Sequence, residues 1–226
     1  MLRSYKWCTN YILQNQNKII KMDLRDLFQG QINDVLVDQI SNQFGIKDRN
    51  QAESAVEGGF TTLLNAISRN VATPSGAEGL AGAIDRDHDG SILDDISGFL
   101  GGSRQSENTS MLNGSGILKH LLGGQQNQVV EMLGKATGLH KSQAGQMLMS
   151  LAPVVMGMLG RQKKVNNLDQ TSLANMITRG TENFNRQSPT NTSLITKMLD
   201  KDGDGSAMDD ILSMGAKALF GSIFKG

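Results

Sequence analysis

The chain has 226 residues, enough for one large domain or two small ones, and its 22 Lys+Arg balance 22 Asp+Glu, so no global field recruits nucleic acid or anionic lipid. Apolar residues make up 38% and aromatics only 4%, with 12 Met and 26 Gly against 3 Pro, a composition of helices packed by aliphatic side chains and interrupted by glycine. The lone Cys8 excludes an internal disulfide framework and a Cys-rich zinc site.

The opening stretch MLRSYKWCTNYILQNQNKIIK lacks the continuous apolar core and small-residue cleavage site of a secretion signal. Its Asn, Lys, Ile and Gln bias gives way at Met22 to the patterned MDLRDLF. The expectation is a cytoplasmic protein whose biological start is Met22, with residues 1–21 a leader outside the domain.

Leu24, Leu27, Phe28, Ile32, Val35, Leu36, Ile40 and Phe44 step by three and four along one helix face, which Gly45 can terminate. Asp48 is a candidate N-cap with Gln51 three residues on, and Ala52, Val56, Phe60, Leu63, Leu64 and Ile67 continue the stripe. After a break over 70–74, Ser75 with Glu78 reads as a capping box for a short helix that runs through Leu80 and Ile84 into an acidic loop.

The order then repeats. TGLHKSQAGQML, from Thr137, parallels FGIKDRNQAESAV, from Phe44, aligning Gln51 with Gln143, Val56 with Leu148, Leu64 with Met156, Ile67 with Leu159 and Arg69 with Arg161. Leu80, Ala81 and Ile84 match Leu173, Ala174 and Ile177. The pattern predicts repeat 1 over 22–102, a linker over 103–112 and repeat 2 over 113–226, with a polar, mobile insertion at about 178–193. The long uncharged run between Lys141 and Arg161 approaches a membrane span in length, but its Ser, Gln and Pro content and missing aromatic belt favour a buried core helix, kinked or broken near Pro153. No segment alternates as a strand would, so the fold class is all-α.

The sharpest motif is IDRDHDGSILDDI over 84–96, which returns as LDKDGDGSAMDDI over 199–211. Asp85, Asp87 and Asp89 stand at loop positions 1, 3 and 5 of a calcium loop, with Gly90 at the turn and Ser91 supplying a carbonyl. Asp200, Asp202, Asp204, Gly205 and Ser206 repeat them. The bidentate glutamate of an EF-hand is replaced by Ile96 and Ile211, leaving Asp95 and Asp210 to close a shortened, weaker site. Helix capping stands beside this reading: Ser91 with Asp94, and Ser206 with Asp209, form capping boxes, and capping alone accounts for Ser91, Asp94 and Asp95. It leaves Asp85, Asp87 and Asp89 to a cation or to solvent. His88 reads as an exposed spacer, and His120 and His140 as surface or boundary residues away from any metal spacing.

The segments FGIKDRNQAESAVEGGFTTLL and TGLHKSQAGQMLMSLAPVVMGMLG, with the DGS-x-x-DD ending each unit, resemble the YidB-like bacterial family, domain of unknown function 937. The resemblance covers nearly everything from Met22 onward and implies a multihelical array with two structural repeats. It supplies no catalytic residue and no activity.

No nucleophile elbow, phosphate loop or zinc signature occurs. Arg161, Lys163 and Lys164 read as charges complementing a helix C-terminus rather than a phosphate site. The expectation is a non-catalytic scaffold or protein-interaction module with two candidate Ca²⁺ loops, a protein partner or self-association, and no nucleic acid. The alternatives are an enzyme of unknown class, and docking to a partner or membrane surface through the C-terminal amphipathic stretch that includes Leu212, Ala216, Leu219, Phe220, Ile223 and Phe224.

Overall fold

The computed structural model describes residues 31–101 and 113–187. The leader, the interrepeat linker, the second acidic loop and the C-terminal amphipathic stretch lie outside the described residues. In chain order the helices are α1 (Gln31–Phe44), α2 (Arg49–Val71), α3 (Pro74–Asp87), α4 (Ile96–Leu100), α5 (Gly114–Leu122), α6 (Gln126–Thr137), α7 (Lys141–Val165) and α8 (Gln170–Gln187). A 3₁₀ turn, Ser91–Asp95, joins α3 to α4, and a shorter one, Gly123–Gln125, joins α5 to α6. The fold is all-α, with no strand among the described residues.

Two long helices form the centre. α2 packs against α1, α3, α5, α6, α7 and α8, while α7 also packs against α3, α5, α6 and the first 3₁₀ turn. α7 is buried over an unbroken run from Leu151 to Gly160, so every face is covered, as its all-round apolar sequence requires. Gly59 lets α2 approach α7, since a Cβ there would stand 2.8 Å from Leu151 Cδ1. No helix among the described residues is long and apolar enough to cross a membrane.

The corners that lead into the two long helices share one construction. Gly45 (φ +66°) and Gly138 (φ +71°) take the left-handed conformation that glycine adopts at least cost. Ile46 N then donates to Ser41 O at 3.0 Å, and Leu139 N to Gly134 O at 2.9 Å, the six-to-one bond of a Schellman C-cap. Each corner then receives a glutamine from the opposite long helix. Gln51 Nε2 donates to Thr137 O at 3.1 Å, and Gln143 Nε2 donates to Phe44 O at 3.1 Å.

Several local expectations are corrected. Asp48 caps α2 as read, accepting from Asn50 N, but Gln51 turns away from its capping-box role toward residue 137. α3 is capped by Thr73, which accepts from Gly76 N at 3.1 Å, and not by Ser75. Pro74 with its preset φ begins the helix there. α7 passes through Pro153 without a break. The carbonyl left without its helical donor is that of Met149, and Gly114 lies so close to it that a Cβ would stand at 1.8 Å.

Residues 178–187, expected as loop, continue α8. Their polar composition hides a stripe of Ile177, Thr181 and Phe184, all buried. Phe184 meets Phe60 of α2 with ring centroids 5.5 Å apart, and Asn185 exchanges amide hydrogen bonds with Asn65. Phe184→Ala should therefore cost about 3–5 kcal/mol in urea denaturation. A loss below about 1 kcal/mol would return 178–187 to the surface-loop class.

Candidate functional site

The first acidic segment does not form a loop around a central point. α3 continues to Asp87, so Asp85 and Asp87 stand two residues apart on a helix and project to different sides. Asp85 Oδ1 accepts from Lys163 Nζ of α7 at 2.5 Å. Asp87 Oδ2 accepts from Arg86 Nε at 2.9 Å. Asp89 Oδ1 accepts from Ser91 N at 2.9 Å in an Asx-type turn, and the Ser91 backbone N–H and hydroxyl draw its carboxyl below the ordinary range.

The far side of the segment is held likewise. Gly90 has φ +92°, and its carbonyl accepts from Arg161 Nη2 at 3.1 Å. The same guanidinium pairs with Asp94. Asp95 Oδ1 accepts from Gly98 N at 2.8 Å and caps α4. The expected capping box of Ser91 with Asp94 is replaced by a 3₁₀ turn that opens after left-handed Gly90.

What brings the segment onto α7 is a pair of glycines. A Cβ at Gly157 would stand 2.4 Å from Ile92 Cγ2, and one at Gly160 would stand 1.7 Å from the His88 carbonyl. Ile92 and Ile96 are buried in consequence, and His88 is only 4% exposed. His88 is therefore not the exposed spacer expected from its polar neighbours. Its Nδ1 is buried and makes no hydrogen bond among the described residues, and burial holds its pKa below the ordinary histidine value. His120 and His140 are exposed as expected.

A calcium ion takes six to eight oxygens converging on one point. Of the residues expected to supply them here, Asp85, Asp87, Asp89 and Asp95 accept from separate protein donors, Ser91 N being the donor to Asp89, and no three His, Cys, Asp or Glu among the described residues gather as a metal-holding group. Asp200, Asp202, Asp204, Ser206 and Asp210 lie outside the described residues.

Residues that sequence reasoning passed over complete the site. Arg161 and Lys163 are partners of the acidic segment and not only helix-end charges, and the Gly157-x-x-Gly160 spacing on an apolar helix was the available sign of a close backbone approach. Beside His88 runs an open groove of about 370 Å³, lined by Leu80, Ala83, Ile117, Leu121 and Met156 of α3, α5 and α7.

The helical order, the glycine corners and the acidic segment between them fall within one family pattern, whose model matches residues 26–162. The chain belongs to DUF937, a family of bacterial proteins of unknown function. The DUF937 match takes in α1 through most of α7 with the first acidic segment, and ends before α8 and the second. No curated protein matches the chain, and no solved structure does.

The clamp predicts an asymmetry between glycines. Gly160→Ala should cost at least about 2 kcal/mol because the new methyl would collide with the His88 backbone carbonyl, whereas Gly82→Ala, whose Cβ meets nothing within 4 Å, should stabilise α3 by about 0.5–1 kcal/mol. Equal effects of the two in thermal and urea denaturation would contradict the seating of residues 88–92 on α7.

Proposed function

We propose that this DUF937 chain is a non-catalytic helical scaffold built from two repeats, whose first acidic segment acts as an internal fastener, and that its outer faces serve a protein partner. The observation that carries this reading is where the polar chemistry goes. Asp85 and Asp94 hold cations of α7, Asp89 and Asp95 satisfy backbone amides, and Glu131 is shared by Lys135 and Lys141. Arg49 gathers Asp34, Asp38 and Glu53 at the corner between α1 and α2. Charges so engaged fix register and helix ends; they are not arrayed around a cavity in the way acid, base or nucleophile would be.

The two-repeat architecture is supported by reciprocity. Gln51 and Gln143, aligned in the sequence, each reach the carbonyl of the residue aligned with the other's target, Thr137 and Phe44. Gly59 meets Leu151, the residue that the same alignment places opposite it. An internal twofold relation brings equivalent residues together in this way, as an isologous interface does between subunits. The groove between α3 and α5, apolar at Leu80, Ala83, Ile117 and Leu121 and bordered by Arg86, Asp87 and His120, is the face we assign to a partner.

Cross-linking in native bacteria followed by native mass spectrometry tests the reading. A discrete complex of fixed stoichiometry, lost when Ile117 and Leu121 in the groove are changed to Asp while the circular dichroism spectrum is kept, is the expected result. Recovery of the free chain alone would overturn it.

A further inference from the structure

The groove beside His88 runs along α3, where Gly79, Ala83 and Arg86 follow at steps of four and three on a single helix face. No contact inside the protein calls for glycine at 79. A Cβ there would meet nothing within 4 Å, and the residue is exposed within a helix that alanine would favour. An open helical glycine keeps a surface low, as Gly157 and Gly160 on α7 do for the acidic segment that lies directly on them. Gly82 is equally open but does not line the groove, which makes it a control.

The charge that faces outward at this groove is positive. The Asp87 side chain is 14% exposed and accepts from Arg86 Nε, whereas the Arg86 side chain is 72% exposed. Asp85 is held by Lys163, Glu78 does not line the groove, and α5, with the sequence GSGILKHLL, carries no carboxylate. His88 contributes a buried ring to the wall. Its Nδ1 has no hydrogen-bond partner among the described residues, and burial holds its pKa below the ordinary value, so it adds an uncharged surface and not a second cation.

We infer that the groove receives one amphipathic helix of a protein partner, laid over Gly79 with its apolar side chains against Ile117 and Leu121 and a carboxylate on Arg86. This rests on the reading above that the groove serves a partner, and it names that partner's chemistry. From Gly79 to Asp87, α3 rises roughly 12 Å, and anchors at i, i+4 and i+7 of an entering helix span roughly 10 Å. The lengths match. An extended peptide would need a sheet edge for its backbone, and the described residues hold no strand. A helix satisfies its own backbone and asks of the groove only an apolar floor, which Met156 of α7 supplies, and room to approach, which Gly79 supplies.

Photo-cross-linking of the full chain in native bacteria tests the inference, with a benzophenone amino acid in place of the exposed His120 at the groove's rim. Sequencing of the adduct should return one partner segment with apolar residues at three-and-four spacing and an Asp or Glu among them. Its yield should fall about tenfold or more in Arg86→Glu and in Gly79→Leu, and change by less than about twofold in Gly82→Leu, with the circular dichroism spectrum kept in all three. A segment without that pattern, an adduct with a second copy of this chain or with a lipid, or a yield indifferent to either Arg86→Glu or Gly79→Leu would overturn it. Two levels separate cleanly. If a complex forms and depends on Ile117 and Leu121 but not on Arg86 and Gly79, only this inference fails; if no complex forms, the partner reading fails with it.

Discussion

The close approach of backbone at Gly157 and Gly160 is the constraint on which this structure turns. Without a side chain at either position, α7 can take the His88 carbonyl and the Ile92 side chain directly against its axis. Asp85 and Asp94 are then fixed by that contact. Arg161 comes within reach of the Gly90 carbonyl and Asp94, and Lys163 within reach of Asp85. The ion pairs are partly exposed and contribute modestly on their own. Apolar burial of Ile92 and Ile96 supplies more of the free energy, and the charges select the register.

Seen this way, an acidic repeat and a metal loop differ in one physical respect. Alternating carboxylates in an extended turn converge, whereas the same spacing on a helix diverges. α3 reaches Asp87 because Arg86 pairs with its neighbour and His88 finds a buried place at the helix end, and that is decided by α7, far away in sequence. The motif states which residues are charged; the partner helix decides which way they face.

Much of the scaffold was legible beforehand. Three-and-four spacing found α1 and α2, Asp48 announced the α2 cap, and Gly45 its preceding stop, because each of these depends on neighbours along the chain. The buried character of α7 was equally readable from its all-round apolar sequence. What escaped notice depends on distant packing. His88 is buried by Gly160, residues 178–187 are helical because Phe184 finds Phe60, and Gln51 abandons a local cap for a carbonyl at residue 137.

The most direct measurement is hydrogen exchange of the amides over 88–95 with calcium removed by a chelator and then restored. A segment fastened by α7 keeps its amides protected in chelator, at rates that added calcium leaves unchanged. Amides that exchange freely in chelator and become protected only when calcium is added would contradict the fastener and return the acidic segment to metal binding.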